Sequence, residues 1–508
     1  MKLPGKPESY WMDSTPETAY PALESDMSVD VAVIGAGIAG LCTAWELVRA
    51  GRTVAVLEAD RIVGGVTGYT TAKLTAQHTL SYARIAGAQG EDAARCYAQA
   101  QQDAVEHVAR TAADLGIDCD FARRPAYTYT EMADEVGEIR AEAEAAAQAG
   151  LPASLVTATG LPYPVAAAVR VDGQAQFHPR RYLLGLAAAI TAGSGTIVEN
   201  TRVVDLDEGD PCRVATAQGY TVSARDVVVA THYPIFDRAL LFTRLRPHRE
   251  LVVAGPIDAD RDPGGMYLTT ADNLRSVRTA PTGDDGGRLL IVTGEKFTPG
   301  EGDVADRYAR LIAWVEQRFP GVPITYRWAA QDNATTDGLP YVGPLHPGAH
   351  HSWVAAGYGG WGMSNGVMSG RLLAASIAGE ELPWTKLFDP RRLNVVREAG
   401  PILAAGAQVA RHFVGDRLRR APVRSVDELD PGDAAVLRID GDRRAVYRDG
   451  GGNLHTVSAT CTHLGCIVGF NDAETAWECP CHGSRFDVDG AVLHGPATRP
   501  LDRYDGGA

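Results

Sequence analysis

At 508 residues the chain exceeds what one hydrophobic core sustains, so two or three domains are expected. A formal charge of −15 argues against nucleic acid or an anionic membrane surface as partner, since both would repel it. With 45% hydrophobic and 22% charged residues, the balance is that of a small-molecule enzyme or of a protein docking a basic redox partner.

The first residues, MKLPGKPESYW, show no apolar core, twin arginine or small-residue cleavage site, and no apolar run is long enough to span a bilayer. A cytoplasmic protein is expected, with Cys42, Cys96, Cys119 and Cys212 as reduced thiols outside any motif. Residues 1–28 read as an arm in which Tyr10 and Trp11 pack structurally.

Residues 30–58, DVAVIGAGIAGLCTAWELVRAGRTVAVLE, form a strand, a glycine turn, an amphipathic helix and a second strand ending at Glu58. A lone GxGxxG is weak, but here it lies between strand and helix, with an acid eighteen residues after Gly40. Gly35 permits the tight turn, Gly37 lets backbone approach a pyrophosphate, Gly40 lets helix pack on sheet, and Glu58 accepts from ribose hydroxyls. The following loop, ADRIVGGVTGYTTAKLTAQH, is rich in hydroxyl donors and suits the rest of an extended dinucleotide.

These residues resemble the D-amino-acid-oxidase-like flavoproteins, and the resemblance runs over residues 28–380. It implies an α/β, Rossmann-type FAD-binding domain of segments 29–84, 171–235 and 326–384, interleaved with a substrate domain of 85–170 and 236–325. Thr67, Thr71 and Ala72 then approach the flavin, and Lys73, one of five lysines, offsets negative charge near the ring or phosphates. FHPRRYLLGLAAAI re-enters the FAD domain, and the Val203 backbone meets the adenine. In ATHYPIFD, Thr231 and His232 stand where many relatives have Thr-Gly. In SWVAAGYGGWGMSNGVMSGRLLAASIAG, Gly359, Gly360, Gly362 and Met363 bring a helix N-terminus toward the flavin pyrimidine.

With a single GxGxxG there is no second nucleotide site, so the reducing equivalents come from an organic molecule. The resemblance implies an amine or amino acid, oxidised by hydride transfer. Lys73, Tyr267 and Arg278 are the catalytic candidates, with Tyr127 and Tyr129 as further pocket residues. Non-covalent FAD is expected: no cysteine lies between Cys212 and Cys461, and the loop 67–72 has no histidine.

Residues 385–422 read as a helical linker, with Ile402, Val409, Phe413 and Leu418 on one face. From 423 to 508, short alternating strands with glycine turns indicate a small all-β domain. It carries CTHLGC, twelve further residues, then CPCHGS. Two thiolates and two imidazoles could hold zinc, but the single residue between Cys461 and His463 is tight for that ion and Cys466 and Cys481 are left over. The whole pattern resembles the Rieske [2Fe–2S] domain, with Cys461, His463, Cys479 and His482 as ligands. That resemblance implies a Cys466–Cys481 disulfide, a Ser484 hydroxyl donating to a cluster sulfur, and a third covering loop at Gly495-Pro496. The disulfide belongs to the respiratory kind of Rieske domain and points to electron transfer. Phe486, where high-potential members often have tyrosine, lowers the potential. Fourteen acids against eight arginines favour a basic acceptor.

The expected function is a FAD oxidoreductase, resembling gamma-glutamylputrescine oxidase with an appended Rieske domain. It dehydrogenates an amine-like substrate and passes electrons singly through its cluster to an external acceptor: a basic redox protein, a quinone, or oxygen. His463 and His482 are expected at the solvent edge, as the exit. Two alternatives stand beside it. A Rieske-coupled oxygenase would need a mononuclear iron held by two histidines and a carboxylate; a non-catalytic carrier or redox sensor would need no substrate.

Overall fold

The computed structural model describes residues 3–236, 238, 241–270, 273–283, 286–392 and 425–504. Most of the expected linker, residues 393–422, lies outside the described residues. The first of two large sheets has a parallel core. Strand Met27–Ile34 pairs with Val54–Leu57 on one side and Thr221–Val229 on the other, and Val54–Leu57 pairs with Gly195–Val198. The inner residues Val31, Val33, Val54 and Val56 are fully buried, as befits strands covered on both faces. Helices Ile38–Arg49, Pro179–Ala192 and Gly362–Ile377 contribute Leu41, Leu186 and Leu372 to this core. Such βαβ geometry leaves a helix N-terminus at the carboxyl end of the first strand, where open α/β sheets bind ligands.

The second sheet runs in the order Tyr326–Thr335, Leu245–Ile257, Gly287–Phe297, Ser276–Thr282, Met266–Thr269, Ala126–Thr130, Ala167–Val171 and Ala153–Val156. Strand Tyr326–Thr335, expected in the FAD-binding segment 326–384, belongs to this sheet instead. It is antiparallel to Leu245–Ile257 from Leu245 opposite Thr335 to Ala254 opposite Tyr326, a ladder that only a folded second sheet can offer. The N-terminal arm clips the two sheets together: Trp11 Nε1 donates to Thr70 O at 2.6 Å, and Tyr10 Oη donates to Pro281 O at 3.0 Å.

The C-terminal domain is all antiparallel β. It has three strands, Ala434–Ile439, Asp442–Arg448 and Leu454–Ser458, and four short ones, Gly469–Asn471, Ala476–Glu478, Arg485–Phe486 and Val492–His494. The fold class therefore matches the expectation. A buried ion cluster holds this domain to the second sheet. Arg249 donates to Glu478, whose side chain is fully buried, and to both oxygens of Glu474 at 2.9 Å. Arg485 reaches Glu478 at 3.0 Å, and the Gly300 amide donates to its other oxygen at 3.0 Å. Burial alone would lower the pKa of Arg249, but the two carboxylates raise it above the ordinary arginine range. Among the described residues no helix is long and apolar enough to cross a membrane.

Candidate functional site

The glycine turn is built around close backbone approach. Gly35 has φ +98°, and a Cβ there would stand 2.6 Å from Ala230 O; at Gly40 it would stand 1.9 Å from Gly35 O. Helix Ile38–Arg49 therefore starts hard against the sheet, and the Ile38 amide donates to Thr67 Oγ1 at 3.2 Å. Glu58 is aimed back at the turn: the amides of Ala36 and Asp60 donate to its two oxygens at 2.8 and 3.1 Å. Burial raises its pKa against the pull of those amides.

One cavity of about 260 Å³ joins this turn to the second sheet. Gly35, Gly37, Glu58, Thr67, Thr71, Val203, Thr231, Gly360, Gly362 and Met363 all line it. The other expected residues sit behind the wall. Gly40 is inside the helix contact, Gly359 precedes the lining glycine, and the Ala72 carbonyl accepts from Arg278. Lys73 Nζ donates to Thr71 Oγ1 at 2.7 Å and Ser276 Oγ at 2.6 Å. Burial and the Arg278 charge lower its pKa to about 7. Arg278 holds the Thr71 carbonyl at 2.8 Å and lies over the Trp11 ring.

Tyr267 is elsewhere. Its ring stacks on Tyr127 at 4.7 Å, and its hydroxyl donates to Pro263 O at 2.7 Å while accepting from the Gly160 amide at 3.2 Å. Tyr129 pairs with Tyr163, hydroxyl to hydroxyl at 2.8 Å. These tyrosines belong to the second core, which they share with Tyr308, Leu311 and Val315 of helix Val304–Arg318. The polar wall comes from residues that sequence reasoning passed over: His248 and Glu250 of one strand, Thr293 of the next, then Gln331 and Asp332. The alternation of His248 and Glu250 on one face was the available signal. Thr293 Oγ1, Gln331 Oε1 and Asn333 Oδ1 are buried without a hydrogen-bond partner, as in a site awaiting a polar ligand.

Within the C-terminal domain, a pair of loops brings four donors together. Cys461 and Cys479 are buried free thiols, and the rings of His463 and His482 lie 4.9 Å apart, nearly perpendicular. His463 Nδ1 and both ring nitrogens of His482 are buried and unpartnered, which is costly unless they bind a metal. Cys466 and Cys481 form a disulfide between the loops. Their sulfurs also lie within 4.8 Å of Cys479, but being bonded to each other they are not open donors. Two thiols and two unpartnered imidazoles fit a cluster ligated half by sulfur and half by nitrogen.

The profile of the DAO family, FAD dependent oxidoreductases, matches residues 30–376, and that of the Rieske [2Fe-2S] domain matches residues 419–505. The chain belongs to the DAO family of FAD-dependent oxidoreductases and carries a Rieske domain. YhfW of Bacillus subtilis, named for a Rieske 2Fe-2S iron-sulfur centre, is 34% identical over 501 residues and 98% of each chain. Gamma-glutamylputrescine oxidoreductase of Escherichia coli is 26% identical, over 73% of this chain and 89% of its own. The glycine oxidase of Geobacillus kaustophilus shares the fold, with TM-score 0.62 at 19% identity, over 72% of this chain and 99% of that one. The protein is thus a FAD-dependent oxidoreductase of amine oxidase or dehydrogenase type with a [2Fe–2S] Rieske domain.

The orientation of the Rieske domain departs from expectation. His482 is 1% exposed, its ring 5.7 Å from Tyr233 and 5.8 Å from Phe242, both on the FAD side of the contact. It faces inward, away from solvent, because the chain leaving strand Thr221–Val229 is packed over it. His463 is half-buried, beside the exposed Leu464. Among the described residues, no group of two histidines and a carboxylate has its ligand atoms all within 4.8 Å of one another.

Proposed function

We propose that the chain dehydrogenates a cationic amine or amino-acid-like substrate and passes the electrons to its own Rieske domain, then singly to an external acceptor. The observation that carries this reading is His482, buried against Tyr233 and Phe242 on the flavin side. Bound FAD, held non-covalently, supplies two-electron oxidation of a C–N bond, and the cluster supplies one-electron transfer.

The chain's own residues set up the substrate. Glu250 presents a carboxylate to the cavity, and burial raises its pKa, so its charge is best satisfied by an ammonium group. Thr293 and Gln331 offer unpartnered oxygens beside it. Lys73 acts through Thr71: once neutral, its amine can accept the proton of the Thr71 hydroxyl as that hydroxyl, which lines the cavity, takes one from the substrate ammonium. With a pKa near 7, Lys73 is protonated below that pH and free above it. The exposed Leu464, next to the half-buried His463, marks the outward edge, and the domain's excess of acidic residues suits a basic acceptor. The free thiols Cys42, Cys119 and Cys212 suit the cytoplasm.

The test is anaerobic mixing with a panel of amines and amino acids, following flavin and cluster absorbance together. Bleaching of the flavin followed by the cluster is expected; a reduced flavin beside a cluster that stays oxidised would sink the relay. In the same assay Glu250→Gln should raise KM for an active amine by about tenfold or more, with a smaller effect on kcat. The rate of flavin reduction should rise with pH through an apparent pKa near 7. Lys73→Met should flatten that limb; an unchanged limb would assign it to the substrate's own ammonium.

A further inference from the structure

The cavity that holds the dinucleotide is not closed by the FAD-binding and substrate segments alone. Leu493, His494, Gly495, Ala497 and Thr498 of the Rieske domain line it together with Gly35, Glu58 and Gly362. The same short segment braces the cluster loops from its other side: the Ala497 amide donates to Ser484 Oγ at 3.0 Å, and Thr462 Oγ1 donates to Arg499 O at 2.6 Å.

Specific bonds tie this segment to the flavin side. Arg202, beside Val203 in the cavity wall, donates to Val492 O at 3.4 Å. His494 Nε2 lies 3.2 Å from His232 Nδ1, which Asn333 Nδ2 also approaches at 3.2 Å. His232 Nε2 faces Asp332 Oδ1 at 3.5 Å. Asp332 in turn accepts from the Gly360 amide at 2.6 Å, in the loop that opens helix Gly362–Ile377. The chain Gly360, Asp332, His232, His494 thus crosses from the flavin-facing loop into the Rieske domain. His232 has φ +66°, a conformation where a glycine would be the ordinary choice, so its side chain is kept at a backbone cost.

We propose that segment 493–498 is a wall shared by both cofactor sites, so that FAD binding and the seating of the Rieske domain are thermodynamically linked. FAD affinity then depends on His494, although His494 belongs to the iron–sulfur domain and is no cluster ligand. Linkage is reciprocal: bound FAD must hold the segment more tightly in place. This requires the two cofactors only, and stands whichever way electrons flow.

The experiment uses the full chain with its cluster loaded and its FAD removed, titrated with FAD and read by flavin fluorescence. His494→Ala should weaken FAD by about tenfold, the loss of one bridging hydrogen bond, with the cluster's electron paramagnetic resonance signal unchanged. His494→Gln, whose side-chain amide can either donate or accept there, should recover most of the affinity. Leu493→Asp alters an exposed position that tolerates change, and should also weaken binding by placing a carboxylate near an anionic dinucleotide. In the unmutated chain, amide hydrogen exchange in 493–498 should slow when FAD is added. FAD affinity unchanged in both His494→Ala and Leu493→Asp, or exchange in the segment indifferent to FAD, would overturn the proposal.

Discussion

Arg249→Met is expected to destabilise the seating of the Rieske domain by about 3–5 kcal/mol, the usual cost of removing one partner from a buried ion pair. Glu478 would remain at full burial with the Gly300 amide and Asn471 Nδ2 as neutral donors, and Arg485 alone to balance both Glu478 and Glu474. Urea titration, with cluster absorbance and flavin fluorescence as separate probes, should split into two transitions with the cluster lost first. Coincident transitions at an unchanged midpoint would show that the ion cluster does not hold the interface. Pairing Arg249→Met with Glu478→Gln should restore most of the loss, since the larger share of the penalty is the stranded charge.

Cys461→Ser should abolish the cluster's absorption and resonance signals while substrate still bleaches the flavin. Cys461 contributes one of two thiols to the donor set, and its loop stays tied through the Cys466–Cys481 disulfide and the bond from the Cys461 amide to Cys466 O at 2.8 Å. Reduction of an added one-electron acceptor should fall to background. Loss of flavin reduction as well would mean that the cluster holds the FAD site together instead of draining it. Loss of cluster signals with acceptor reduction intact would send the electrons out by another path.

Much of both cofactor sites was legible because the demands are local. A backbone that must pass within contact distance of Gly35 and Gly40 admits no side chain there, and the acid at the end of the next strand follows from the βαβ spacing. The Cys-x-His and Cys-x-x-His pairs likewise announce their donors within a few residues. The aromatic candidates did not separate that way. Tyr267 and Glu250 both sit on strands of one sheet, and nothing in their neighbours says which face meets the core and which the cavity. Register decided it: Tyr267 packs on Tyr127 across paired strands, while Glu250 lines the site.

The sequence by itself determined the family and the two cofactors, and it offered the Cys-x-His and Cys-x-x-His pairs as cluster donors, since each rests on short-range geometry that residue types enforce. Only the tertiary structure decided that His482 faces the flavin side, that strand Tyr326–Thr335 joins the second sheet, and that His494 meets His232. Those contacts are set by how whole faces pack: Arg249 and Glu478 lie 229 residues apart, and His232 and His494 lie 262 apart. At such separations chain connectivity imposes almost no constraint, so only the burial of complementary surfaces selects the partner.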